Sequence, residues 1–111
     1  MASERQALDA GERTEMADGR VKIETVELGG AVVKRVAHAA GWRWSEHSSA
    51  EVGEPRCPRR HVGVMIGGRM WVEDADGNGF EAAEGDVVVI EPGHDAWTVG
   101  DEPSVMIELA G

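Results

Sequence analysis

The sequence predicts an all-β domain, an antiparallel sandwich or small barrel preceded by a short polar N-terminal arm. Three observations predict it. Short apolar runs recur at turn intervals of about 8–12 residues, the rhythm of sandwiches and barrels. Fifteen glycines among 111 residues punctuate those runs. No segment beyond residue 20 sustains a helical period.

Residues 1–20 carry Glu4, Arg5, Asp9, Glu12, Arg13, Glu15, Asp18 and Arg20, with only Leu8 and Met16 as sizeable apolar groups. Such a segment buries little surface, so it is expected to be a flexible or weakly helical arm, weakened further by Gly11 and Gly19. Residues 21–111 form one barrel domain. Val21 to Leu28 reads as the first strand, ended by Gly29-Gly30, and Ala31 to Ala37 as the second. Trp42-Arg43-Trp44-Ser45-Glu46 alternates large apolar with polar residues and reads as a third. A loop follows from Ser48 to Pro58, broken by Gly53, Pro55 and Pro58. Val62 to Ile66 is a buried strand that stops at Gly67-Gly68. Arg69 to Glu73 is the next, with Met70 and Val72 facing opposite to Trp71. Asp74 to Gly79 is a hairpin turn, because Gly and Asn tolerate positive φ. Gly85-Asp86 turns into Val87 to Ile90, which Pro92-Gly93 ends, and Asp86 is expected to bond the backbone there. Ala96 to Val99 and Ser104 to Leu109 close the chain around an exposed turn at Asp101-Glu102-Pro103.

Composition narrows the function. A hydrophobic content of 41% suffices for a core. Eleven Lys and Arg against 21 Asp and Glu give a net charge of −10. That balance excludes a nucleic-acid partner, whose phosphates demand a surplus of cations, and an anionic membrane surface. The single Cys57 rules out an internal disulfide and suits a reducing compartment. No apolar run nears the roughly 20 residues that span a bilayer. Met1 to Arg13 lack the apolar stretch of a secretory signal. The expected location is cytoplasmic.

Two stretches carry the chemistry. One is Pro55-Arg56-Cys57-Pro58-Arg59-Arg60-His61-Val62-Gly63-Val64-Met65-Ile66-Gly67-Gly68, and the other is Gly85-Asp86-Val87-Val88-Val89-Ile90-Glu91-Pro92-Gly93-His94-Asp95-Ala96-Trp97. Together they resemble the two motifs of the cupin superfamily. The first cupin motif ends in His-x-His, three or four residues, Glu, six residues, Gly. Counting back from Gly68 puts His61 at the Glu position, Cys57 at the second His and Pro55 at the first. The second motif is Gly, five residues, Pro-x-Gly-x-x-His. Gly85 and Gly93 match it, Glu91 stands for the Pro, and Ala96 stands for the His. Over roughly residues 40–109 the framework matches while the usual metal ligands are exchanged. Together with Gly41 to His47, these segments look like a subgroup of small, mostly uncharacterised bacterial cupin-domain proteins. The resemblance implies a double-stranded β-helix (jelly-roll) barrel, an interior ligand pocket and a homodimer.

In one straight strand Cys57 and His61 would lie roughly 13 Å apart, too far to share an ion. A turn at Pro58-Arg59 brings them together, and His94 enters from the second motif. Thiolate with imidazole suits Zn²⁺, with iron, nickel or manganese as alternatives, and three protein ligands leave a position open. The plain alternative is that Cys57 is a small buried hydrophobe, as most free cysteines are, and that His94 only stabilises its turn. Trp44 and Trp97 are candidate pocket walls, although a chain without Tyr needs some of its four Trp for the core. Arg43 or Arg60 is a candidate selector for a charged ligand, and His47 is within reach of the pocket from the preceding strand. Arg56, Arg59 and Arg60 otherwise form a solvated cluster balanced by Glu51 and Glu54.

The expected function is a small-molecule-binding cupin with a non-standard divalent-metal site at Cys57, His61 and His94. Two alternatives stay open. One is a metal-dependent cupin enzyme such as an oxygenase, isomerase or lyase, against which stands the loss of His at Pro55 and Ala96. The other is a metal-free ligand sensor or structural module.

Overall fold

The computed structural model describes residues 2–110 and holds nine antiparallel strands in two sheets. They are β1 (Glu12–Met16), β2 (Val21–Leu28), β3 (Ala31–His38), β4 (His61–Gly67), β5 (Arg69–Glu73), β6 (Gly79–Ala83), β7 (Val87–Ile90), β8 (Asp95–Val99) and β9 (Ser104–Ala110). The larger sheet runs β1-β2-β3-β9-β4-β7 and the smaller β6-β5-β8. Among the described residues, helical structure is limited to a 3₁₀ turn at Leu8–Ala10, a π-helical turn at Trp44–Ser48 and α1 (Ser49–Val52). No helix among the described residues is long and apolar enough to cross a membrane.

Strand alternation decides what faces inward. The larger sheet buries Val21, Val36, Met65, Val88, Ile90 and Met106, and the smaller buries Met70, Val72, Ala82 and Ala96. Register stacks these into layers: Val36 lies beside Met106, and Met106 beside Met65. Each of these Val, Ile and Met side chains stabilises the fold by about 1.5–3 kcal/mol. The opposite face of β9, β4 and β7 is also apolar, with Val62, Val64, Ile66, Val87, Val89, Val105, Ile107 and Leu109. Of these, Ile66, Val87, Val89 and Leu109 are exposed.

Gly63 faces inward on β4, and a Cβ there would stand 2.3 Å from the Ile107 carbonyl oxygen. The missing side chain is what lets β4 and β9 close up.

Three expectations need correction. The arm predicted for residues 1–20 is partly sheet, because β1 pairs with β2 from Glu12↔Thr25 to Met16↔Val21. Its hold is a backbone ladder and an Arg13–Glu24 contact of 3.6 Å, neither of which a count of apolar residues registers. The β1–β2 turn places Ala17 and Asp18 at φ 54° and 55°, and the Ala17 N–H donates to Glu51 Oε1 on α1 at 2.5 Å.

The strand expected at Trp42–Glu46 reduces to a single bridge between Arg43 and Trp97, after which the chain coils. Buried Asp95 causes this. It accepts hydrogen bonds from the Ser45 N–H at 3.0 Å, the Ser45 hydroxyl at 2.8 Å and the Arg43 Nε–H at 3.0 Å, curling the segment around one carboxylate. Both indoles then turn inward, and the Trp42 Nε1–H donates to Ser48 Oγ at 3.1 Å. The loop expected from Ser48 to Pro58 begins with α1, ended by Gly53 in the left-handed region.

Candidate functional site

The site forms where the two motif segments meet. Cys57 and His94 face each other as an antiparallel bridge. The Cys57 N–H donates to the His94 carbonyl at 2.9 Å, and the Gly93 N–H donates to the Cys57 carbonyl at 2.7 Å. Pro58 to Arg60 then carry the chain to His61 at the head of β4. The Cys57 sulfur, one nitrogen of His61 and one of His94 all lie within 4.8 Å of one another. The sulfur is 3.5 Å from His61 Nε2, close to the donor-to-donor edge of about 3.6 Å in a tetrahedral zinc site.

The far side of each imidazole is tied down. His94 Nδ1–H donates to the Glu91 carbonyl at 2.7 Å, and His61 Nδ1 is hydrogen-bonded to the Glu108 carboxylate. Both rings therefore present Nε2 toward the sulfur. Metal-ligating histidines are oriented in this way by a carbonyl or carboxylate behind them.

Charge follows the same geometry. Burial works against a Cys57 thiolate, yet the hydrogen bond with His61 and the nearby His94 ring outweigh it and bring the thiol down to about 6. Burial likewise disfavours a charged His61, but Cys57 and Glu108 raise it to about 9. Glu108 is held below the ordinary carboxylate range, since its bond to His61 overcomes desolvation. All three shifts favour the same charge arrangement, a thiolate, an imidazolium and a carboxylate in a chain.

These groups line an interior cavity of about 120 Å³. Its walls include Ile23, Val36, Trp42, Trp44 and Met106, and Met16 and Val52 also border it. His38 lines it too, and burial drives that ring down to about 4, so it is neutral. Its Nδ1 has no hydrogen-bond partner among the described residues.

No family model matches the sequence, and no curated protein is significantly similar to it. Solved structures do match. A sugar phosphate isomerase from a cupin superfamily, from Silicibacter pomeroyi, superposes with TM-score 0.67 at 16% identity, covering 96% of this chain and 74% of that one. The cupin domain of Schizosaccharomyces pombe Cnp3 gives TM-score 0.64 at 13% identity over 95% of this chain and 71% of that one. An uncharacterized conserved protein with a double-stranded β-helix domain from Klebsiella pneumoniae gives 0.62 at 18%, covering 97% and 89%. The chain has the cupin fold.

Within this cupin fold, the chain turns after Cys57 and brings Cys57, His61 and His94 together, and Trp44 lines the cavity. The other expected ligand residues do not line it. Trp97 sits on the outer face of the smaller sheet beside Trp71, because Ala96 and Thr98 take the inward positions. The Arg43 guanidinium lies 4.3 Å over the Trp97 ring and pairs with Asp95, so it clamps the Trp44 turn. The His47 Nδ1 accepts from the Arg43 N–H at 3.0 Å within that turn. Arg60 points outward to Glu91 at 3.0 Å. Arg56 pairs with Glu73 rather than Glu51 or Glu54.

Sequence reasoning missed Glu108, His38 and Lys34, all inward-facing on β9 or β3. One signal pointed to Glu108. It is the sole charge in the apolar run Ser104 to Leu109, at the same parity as buried Ser104 and Met106.

Proposed function

We propose that this chain is a small-molecule-binding cupin that holds one divalent metal through Cys57 Sγ, His61 Nε2 and His94 Nε2. The observation that carries this is the pair of rear hydrogen bonds, Glu108 to His61 and the Glu91 carbonyl to His94. One thiolate and two imidazoles in a compact cluster favour Zn²⁺ over harder ions. When bound, such an ion supplies a Lewis acid for a ligand oxygen. The chain's own contributions are to orient both rings, to hold Cys57 deprotonated and to keep the ligand against apolar walls.

A second reading, a metal-dependent enzyme of the isomerase, lyase or oxygenase kind, is supported by the cavity at the centre's open side. The location that suits a free thiolate is the reducing cytoplasm. The test of both readings is metal stoichiometry in wild type, Cys57→Ala and His61→Ala after supplementation with Zn²⁺, Fe²⁺, Ni²⁺ or Mn²⁺. About one ion per wild-type chain and loss in both variants is expected. Equal, near-zero content in all three would leave a metal-free ligand sensor.

The same reading includes a homodimer. The outer apolar face of β9, β4 and β7 ends in the edge strand β7, whose four residues Val87 to Ile90 carry no protecting charge or proline. A second copy applied by a two-fold axis covers both features at once. Light scattering is expected to give a dimer for wild type and a monomer for Val87→Lys combined with Leu109→Lys. A wild-type monomer would reject it.

A further inference from the structure

The cations of this chain are divided in a telling way. Seven of the eleven, Arg13, Arg20, Arg35, Arg43, Arg56, Arg60 and Arg69, lie within 4.0 Å of a carboxylate oxygen. Among the described residues, Arg5, Lys22, Lys34 and Arg59 have no such partner. In a chain with 21 acidic residues a surface cation finds a carboxylate easily. Yet two of these four, Lys34 and Arg59, line the interior cavity.

Glu108 is the one carboxylate among the residues that line this cavity, and it is engaged by His61. Lys34 occupies the position directly across from Glu108 in the β3–β9 ladder. Backbone neighbours of this kind sit about 5 Å apart, but the Lys34 ammonium does not close on the Glu108 carboxylate. Arg59 lies in the short connection between Cys57 and His61 and lines the same cavity. Lys34 is half-buried and Arg59 exposed at the cavity's mouth, so both charges stay hydrated while their one nearby carboxylate, Glu108, is already taken by His61.

We infer that the cavity takes a small carboxylate with an apolar body, its head group held by Lys34 and Arg59 at the open side of the Cys57–His61–His94 centre. The contact to the centre rests on the metal reading proposed above, whereas the two cationic contacts do not. Arginine's planar fork matches the two oxygens of a carboxylate. A doubly charged phosphate head fits less well, because Glu108 stands beside Lys34 and the walls are apolar. Size limits the body. A cavity of about 150 Å³ accommodates the six carbons of benzene, so about 120 Å³ admits a branched body of about four or five carbons, with the carboxylate at the open side. Ile23, Val36, Trp44 and Met106 are the surfaces against which its carbons pack.

Calorimetric titration with 3-methylbutanoate and its neutral isostere 3-methylbutanamide tests this, on zinc-loaded and on chelator-treated protein. The acid is expected to bind wild type, with the amide at least about tenfold weaker, the loss of one charge-assisted hydrogen bond. Lys34→Met and Arg59→Gln are each expected to weaken the acid at least about tenfold while zinc stoichiometry and the circular dichroism spectrum stay unchanged. Should zinc fail to bind while the acid is still preferred in a manner dependent on both cations, the metal reading falls and this inference stands. Equal affinity for acid and amide, no binding of the acid, tighter binding of inorganic phosphate, or unchanged acid affinity in both folded variants would overturn it.

Discussion

Glu108 is hydrogen-bonded to Nδ1 of His61, and the other nitrogen of that ring faces the Cys57 sulfur at 3.5 Å. The carboxylate thus fixes which nitrogen is offered to an ion. Glu108→Gln keeps the shape and removes the charge. Zinc affinity, read by competition with a chromophoric chelator, is expected to fall about 10–100-fold, with the fold intact. An unchanged affinity would make Glu108 irrelevant to the centre.

The thiol should betray its surroundings in alkylation kinetics. In chelator-treated protein the iodoacetamide rate at Cys57 is expected to rise through an inflection near pH 6. Unperturbed cysteine inflects at about 8.5. His61→Ala should move the inflection upward, and zinc should suppress the reaction. A wild-type inflection at the ordinary value would show that no thiolate–imidazolium pair exists.

That pair has little effect on stability across neutral pH, which follows from the signs. Cys57 is lowered on folding to about 6, so alone it makes stability rise with pH above that value. His61 is raised to about 9, so alone its stabilisation is complete below 6.5 and is lost as pH rises through 9. Folding moves one proton from sulfur to imidazole, and between about 6.5 and 9 the two slopes cancel. His38 has no such partner. Lowered to about 4, it contributes stability that is present above 6.5 and is lost as pH falls toward 4. At about 1.4 kcal/mol per pH unit this amounts to about 3 kcal/mol. Urea unfolding should therefore show a flat plateau near neutrality and a decline between pH 6.5 and 4, and His38→Gln should flatten the decline.

Gly63→Ala is expected to destabilise the protein by about 2–3 kcal/mol, since the new methyl group would press on the Ile107 carbonyl and force β4 from β9. The displacement would also part His61 from Glu108, so zinc affinity should fall in step. Gly53→Ala meets no neighbouring atom within 4 Å, and its cost should come from its left-handed φ of 82° alone.

Asp95→Asn is expected to cost about 2–4 kcal/mol in urea unfolding. The buried carboxylate holds both Ser45 donors and Arg43, whose partial exposure moderates the loss. Trp44 rides on that turn, so its fluorescence should shift as well. Stability and emission equal to wild type would mean the turn forms without the anchor.

Local patterns in the sequence were enough for the barrel and for half of the site. Turn residues marked the strand ends, and Pro58-Arg59 implied the reversal that joins Cys57 to His61. Long-range partners left no local mark. Glu108 lies 47 residues from His61, and only sheet register brings them together. Trp97 was expected inside because it is large and apolar, but parity set by Ala96 and Thr98 turned it out. The Trp42 segment was read as a strand because alternation cannot reveal a carboxylate 50 residues away that accepts hydrogen bonds from Ser45.

Cys57 and His94 occupy one rung of antiparallel ladder, locked by two backbone hydrogen bonds. The bite between sulfur and imidazole is accordingly set by peptide geometry rather than by loop wandering. Under the metal reading proposed above, such a rigid chelate would favour a compact four-coordinate guest and give large, oxygen-seeking ions such as calcium nothing to grip.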